Sequence, residues 1–246
     1  MRTENDPMRI LVTNDDGYNA AGLKLLVKSA LKFGEVTVVA PQTQCSAMSH
    51  RLTIYDELVV KKQDIGIEGV TTFSVSGTPA DCVRVAMTKI CDARPDIVFS
   101  GINNGYNAGY DIVYSGTVGA AMEALMYAHI PAIAYSVERD DRLETVEEYI
   151  DGITKDLLER EIARNEIWNV NFPGLARGEC KGILYDRVPE QAEFHQDFYV
   201  MRMLSGGDIG MKLDGEAKCR TTPGTDYDAV LNGYISIGKV RHQVMN

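Results

Sequence analysis

The 246-residue chain is short of several things, and each shortage excludes a class of protein. It has only five cysteines (Cys45, Cys82, Cys91, Cys180 and Cys219), odd in number, scattered and without a CxxC pair. Neither a disulfide framework nor a zinc site follows from such spacing, and free thiols fit a reducing cytoplasm. No apolar run approaches the roughly 18 residues that a membrane-spanning helix needs. Met1 to Pro7 is polar, lacks an apolar signal core, and reads as a short disordered lead-in. Positive charge is also scarce: 25 Lys and Arg face 35 Asp and Glu, for a net charge of −10. A protein that acidic repels a nucleic-acid backbone, so grip on DNA or RNA polymers is not expected. A small phosphate ligand is still compatible, because one bound cation reverses the local field. There is no GxxxxGK[ST] loop and no GxGxxG fingerprint, which disfavours P-loop NTPases and dinucleotide enzymes. Internal repeats and low-complexity tracts are absent as well.

What is present is an alternation of short apolar runs and amphipathic segments. Hydrophobic residues make up 45% of the chain, enough for a sizeable core. Ile10 to Val12 is a buried-strand run that ends in two adjacent carboxylates, Asp15 and Asp16, closed by Gly17. Leu23, Leu26, Val27, Ala30 and Leu31 recur at helical spacing and stop at Gly34. Glu35 to Ala40 reads as a second strand, giving a strand–helix–strand unit with parallel strands. Leu52–Lys61 and Val70–Ser76 read as two more strands. Thr78, Pro79 and Asp81 then form a helix start, with Val83, Ala86, Met87 and Ile90 on the buried face. Strands follow at Asp96–Ser100 and Ala132–Ser136. Between them a helix begins at Ser115–Thr117, with Val118, Met122, Leu125 and Met126 inward. Asp140–Glu161 carries the pattern of a long amphipathic helix. Beyond Pro173, "GILYDRV", "FYVMRML" and "GYISIGKV" are β-like, with no strong helix among them. The expected fold is a single α/β domain: a Rossmann-like parallel sheet with helices on both faces (core about 8–173) and a β-rich C-terminal extension or arm (about 174–246).

The chemistry-bearing clusters all follow directly on expected strands, where ligands of parallel sheets bind. Asp15 and Asp16 repel each other unless a cation or proton intervenes, and a hard divalent ion such as Mg²⁺ or Mn²⁺ suits oxygen ligands. The plainer alternative is a solvated turn in which Asn14 or Asp15 caps the next helix. Ser46 to Ser49, after Pro41, either wrap a ligand or cover the sheet edge. Ser115, Gly116 and Thr117 open a helix and offer hydroxyls, backbone N–H groups and the positive dipole end to an anion. A metal set beside an anion cradle points to phosphoryl chemistry. His50, four residues past Ser46, is a candidate proton donor to a leaving oxygen; His129 suits a structural or C-capping role, and His195 and His242 a surface position.

The ordered motifs "TNDDG", "VVAP" with a serine five residues past its proline, "SGTPADCV", "SGIN-x-G-x-N", "YSGTVGAAMEA" and "PGTDYDAV" resemble those of the SurE family of survival-protein nucleotidases, over about Met8 to Ile237. The resemblance implies a metal-dependent phosphomonoesterase acting on nucleoside 5′- and 3′-monophosphates and on short polyphosphate. It implies one divalent ion held by Asp15, Asp16, Ser46 and Asn103. It places Ser115, Gly116 and Thr117 at the phosphate, with Asn107, Gly77 and Thr78 nearby. It also implies dimers or tetramers that exchange C-terminal arms, where many relatives continue past the position of Asn246. The nucleophile stays open between a water and an aspartate. Three other readings compete: a haloacid-dehalogenase-type phosphatase, disfavoured because it uses DxD and not DD; a non-catalytic nucleotide-binding regulatory protein; and a purely structural oligomer with a solvated acidic turn, which leaves the placement of every cluster at a strand end unexplained.

Overall fold

The computed structural model describes residues 6–139, 142–191, 195–217 and 220–245. Most of the lead-in, the side chain of His195, and Cys219 lie outside the described residues.

A nine-stranded sheet forms the centre. Strands β1 (Met8–Thr13), β2 (Gly34–Pro41), β4 (Thr71–Val75), β5 (Ile97–Asn104), β6 (Ala132–Val137) and β7 (Glu166–Phe172) pair in parallel. At one edge the short strand β3 (Val60–Gln63) pairs antiparallel with β4. At the other, β11 (Ile235–Arg241) pairs antiparallel with β7 and parallel with β8 (Ile183–Arg187). The order across the sheet is β3-β4-β2-β1-β5-β6-β7-β11-β8.

Alternation along the strands builds a core on each face. Ile10 and Val12 of β1 join Leu23, Leu26 and Val27 of helix α1 (Ala21–Ala30) and Val146, Ile150 and Ile153 of helix α5 (Glu144–Glu159). Leu11, between them in sequence, points the other way. It packs with Val83 of α2 (Pro79–Val85) and with Val118 and Leu125 of α4 (Gly116–Ala128). That is the period-two logic of a strand covered on both sides. A π-helical turn, Ala86–Ile90, prolongs α2. The expected α2 start holds in full: Thr78 and Asp81 form a reciprocal capping box with Pro79 at the first helical position.

Four expectations change. The run 52–59 does not form strand, and only 60–63 does. Met126 lies on the solvent side of α4, 37% exposed. The β-rich C-terminal part contains a short helix, α6 (Asp226–Leu231), capped by Thr225, whose hydroxyl accepts from the Asp228 amide. It is also only partly an arm. Strands β8 and β11 complete the main sheet, while β9 (His195–Met203) and β10 (Ile209–Ala217) form a separate antiparallel hairpin.

Glu190 and Asp226 fasten this region to the core. Asp226 accepts from the amides of Gly109, Glu190 and Tyr227 at 2.8–2.9 Å. Glu190, 3% exposed, accepts from the Thr222 amide at 2.6 Å, the Thr222 hydroxyl at 3.0 Å and the Thr225 hydroxyl at 3.1 Å. Burial alone would raise the Glu190 pKa, but these donors outweigh it and hold the carboxyl below its ordinary 4.5. A depressed carboxyl contributes stability above its unfolded pKa and loses it as the pH falls through the folded value. Glu190→Gln is therefore expected to be about 2 kcal/mol less stable than wild type at pH 7. That gap should narrow below the ordinary carboxylate pKa, as followed by denaturation midpoints against pH; a gap that does not change with pH would refute the assignment.

Candidate functional site

The chain runs from β1 outward to β2 and β4, then crosses back to β5 on the other side of β1. Loops after β1 and β5 thus leave in opposite directions, and the crevice between them is the natural ligand position of such a sheet. The Asp pair sits there, at the end of β1.

The two carboxylates diverge. Asp15 is 3% exposed and turns toward the start of α4, where the Thr117 hydroxyl donates to its Oδ1 at 2.5 Å. Gly116 permits this approach: a Cβ there would lie 2.9 Å from the Asp15 Cβ and 3.1 Å from its Oδ2. Asp16 turns toward β5. Its Oδ2 accepts from the Asn104 amide at 3.0 Å, and its Oδ1 accepts from Gln44 Nε2 at 3.3 Å. The Cys45 amide donates to the Asp15 carbonyl at 2.7 Å, so the loop carrying Ser46 is pinned to the same strand end. Burial, partly countered by the Thr117 hydrogen bond and reinforced by the Asp16 charge, pushes the Asp15 carboxyl up to about 6.

This is not a capping turn. Helix α1 begins after Ala20 with no side-chain cap, and Asn14 Nδ2 instead donates to the Gly17 carbonyl at 2.9 Å. The Asn14 Oδ1 is buried and has no hydrogen-bond partner among the described residues. A pair of adjacent carboxylates, one desolvated, beside an orphaned amide oxygen is a donor set that a hard divalent cation fits. Ser46 stands exposed on the neighbouring turn. Asn103 uses its Nδ2 on the Gly105 carbonyl at 2.8 Å, which leaves its Oδ1 as the atom available to a cation. Among the described residues no group of three or more His, Cys, Asp or Glu could hold a metal, so any such site here draws on Ser and Asn oxygens.

The anion cradle differs from the simple expectation. Ser115 caps α4, its Oγ accepting from the Val118 amide at 3.0 Å, and the Thr117 hydroxyl is spent on Asp15. The donors left at this 13-residue helix are the first backbone N–H groups and the Ser115 hydroxyl proton. Thr78 is similarly engaged: its Oγ1 donates to the Arg51 carbonyl at 2.5 Å and accepts from the Asp81 amide at 3.2 Å. Gly77 touches the site through its carbonyl, 3.8 Å from Cys45 Sγ.

Asn107 is held in a polar knot. Its amide donates to Asn171 Oδ1 at 2.9 Å, its Nδ2 to Ser136 at 2.8 Å, and its carbonyl accepts from Asn169 at 2.8 Å and Asn171 at 3.1 Å. It shapes the loop after β5 from within. His50 does not face the Asp pair. Its Nε2 lies 2.5 Å from Glu123 Oε2 on α4, and Arg84 ion-pairs with the other oxygen of the same carboxylate. His129 is the α4 C-cap, in the left-handed conformation. Sequence reasoning missed Gln44 and Glu123, whose roles depend on partners far along the chain, and read Asn14 as a cap where the structure leaves its Oδ1 unpaired.

Known proteins resemble the chain over nearly its whole length. The family model of the survival protein SurE matches residues 10–194. A 5′-nucleotidase SurE of Clostridium botulinum (strain Kyoto / Type A2) is 37% identical over 245 residues, 97% of this chain and 95% of the relative. One from strain Loch Maree / Type A3 matches to the same extent. The crystal structure of the SurE protein from Aquifex aeolicus superposes with a TM-score of 0.81 at 35% identity, covering 97% of this chain and 95% of that one.

Proposed function

The chain belongs to the SurE family, and from that premise we propose that it is a metal-dependent nucleotidase. It hydrolyses nucleoside 5′- and 3′-monophosphates, and short polyphosphate. The observation that carries the reading is the divergent Asp pair at the β1/β5 crevice, with Asp15 buried and facing the N-terminus of α4 and Asp16 half-exposed toward β5.

Asp15, Asp16, Ser46 and Asn103 would hold one Mg²⁺ or Mn²⁺ ion. When bound, such an ion supplies electrophilic assistance to the phosphoryl group and lowers the pKa of water. The rest falls to the chain itself. The N–H groups of Gly116 and Thr117 and the α4 dipole bind the phosphate oxygens and stabilise the charge that develops on them. Thr117 fixes the Asp15 carboxylate in one orientation, and Ser115 keeps the helix start from fraying. Gly77, Thr78 and Asn107 shape the walls. His50 is occupied by Glu123 and takes no proton-transfer role.

Assembly into a homodimer or homotetramer fits the β9–β10 hairpin, which exposes Tyr199, Met201, Met203, Met211 and Leu213. An isolated two-stranded hairpin with so much apolar surface is marginal in water. Free thiols at Cys45, Cys82, Cys91 and Cys180 support a cytoplasmic protein, and among the described residues no helix is long and apolar enough to cross a membrane.

The test is phosphate release from a panel of nucleoside monophosphates with Mn²⁺, with Mg²⁺ and with chelator. Release is expected with either ion, to be lost in chelator and to return when the ion is restored. Nucleotide binding without release under any of these conditions would hand the site to the regulatory, non-catalytic reading.

A further inference from the structure

Helix α4 is entered through a single helical turn, α3 (Asp111–Tyr114), that runs straight into its cap, Ser115. A helix that short has no stability of its own in water, so its place is set by what it touches. The Val113 carbonyl accepts from the Ser49 hydroxyl at 2.7 Å and the Tyr114 carbonyl from the Ser49 amide at 2.9 Å, on the loop that carries Ser46. The Ile112 carbonyl accepts from the Ser115 amide at 3.4 Å. α3 therefore joins the Ser46 loop to the start of α4.

A third attachment comes from the C-terminal region. The Tyr227 hydroxyl, on α6, donates to Asp111 Oδ2. Tyr227 is 1% exposed, and its ring stands nearly perpendicular to that of Tyr106 with centroids 6.3 Å apart. Gly109 lets the ring approach: a Cβ there would lie 3.1 Å from Tyr227 Cε2. Burial first, and the Asp111 carboxylate second, push the phenol above its ordinary 10, so it stays a donor. The Gly109 amide on Asp226 and the Tyr110 hydroxyl on the Gln191 carbonyl fasten the residues just before α3, whereas Tyr227 reaches α3 itself.

We infer that Tyr227 is a positioning residue for the start of α4 and for the Ser46 loop, acting through Asp111; the inference rests on the nucleotidase reading above. Tyr227 touches neither the Asp pair nor the first N–H groups of α4, so its effect is one of placement. Asp111 is half-buried, and water can take the place of the lost hydroxyl, so the bond matters little to global stability. A small shift of the helix start is different. It moves N–H groups away from oxygens on which charge develops, and lowers kcat more than it raises KM.

The test uses Tyr227→Phe, Asp111→Ala and the two combined, with Asp111→Asn as the conservative variant that keeps an oxygen for the hydroxyl. The readouts are kcat and KM for adenosine 5′-monophosphate with Mn²⁺, and amide hydrogen exchange. Each single loss is expected to lower kcat about tenfold, with a smaller change in KM, and to speed exchange over residues 111–118 while the central strands keep their protection. The combined variant should lose no more than either alone, because both remove one bond. Asp111→Asn should stay within about twofold of wild type in both readouts. A Tyr227→Phe enzyme within about twofold of wild type overturns the inference, as do losses that multiply in the combined variant. Exchange that is unchanged over 111–118, or faster throughout the chain, overturns it as well. If wild type releases phosphate from no monoester, the nucleotidase reading fails, and exchange over 111–118 alone decides whether Tyr227 places this segment.

Discussion

Replacing Asp15 with asparagine is expected to leave a folded protein whose phosphate release is slower by about 10³-fold or more. The substitution keeps the shape of the side chain and an oxygen for Thr117, so the start of α4 stays in place. What it removes is the charge that a cation requires. In chelator the variant is expected to melt at the same temperature as wild type or above it, because a buried charge beside a like charge is unfavourable without a counter-ion. Adding Mn²⁺ should raise the melting temperature of wild type and leave that of Asp15→Asn unchanged. Kinetics and thermal melts with and without the ion check both halves. Turnover within tenfold of wild type would remove Asp15 from the chemistry.

The second large effect is on stability and lies behind the site. Glu123 is 2% exposed, and both of its oxygens are taken, one by His50 and one by Arg84. Burial works against its charge, but the hydrogen bonds and charges of those two partners prevail and lower its pKa. Glu123→Ala removes the acceptor for both and opens a hole in the face of α4, at an expected cost of about 3 kcal/mol. His50 also closes the loop that begins at Pro41. The Ser49 amide and hydroxyl bind the carbonyls of Tyr114 and Val113 at 2.9 and 2.7 Å, and Gly119 packs on the Ser49 carbonyl. Loosening Glu123 therefore also frees the loop that bears Ser46. The variant should show a lower denaturation midpoint together with a weaker apparent affinity for Mn²⁺, and Glu123→Gln should recover part of each. A stability loss below about 1 kcal/mol would mean that the triad is a surface feature.

Much of this arrangement is legible in the sequence. Strands β1, β2, β5 and β6 announce themselves as short apolar runs closed by turn residues, and the α2 and α4 starts by Thr-Pro and Ser-Gly-Thr. The Asp pair is legible because two carboxylates at the end of a buried strand need a partner. The rest depends on distant pairing. β11 joins β7 across more than sixty residues, in a register that no local pattern encodes. Helix α6 is too short to show a period, and its cap at Thr225 gains weight only from Glu190 and Asp226. The residue types at Ser115, Thr117, Thr78 and Asn107 suggest ligand contacts, but Thr117, Thr78 and Asn107 are committed to Asp15, Arg51 and Asn171, neighbours that only the folded chain brings near, while Ser115 caps its own helix. His50 illustrates the same limit: its distance from Ser46 along the chain is short, yet its ring meets a carboxylate 73 residues away.

Those commitments at α4 have a thermodynamic side. The Ser115 and Thr117 side chains hold single orientations before any anion arrives, and the donors that remain are main-chain N–H groups and the Ser115 hydroxyl. Ordering a flexible side chain on binding costs about 0.5–1.5 kcal/mol. Here the folding of the helix has already met that loss of rotamer entropy, so a phosphate bound there would enter a rigid, preorganised mould. Such a mould would grip every monoester alike and leave the choice among alcohols to whatever surface lies beyond it.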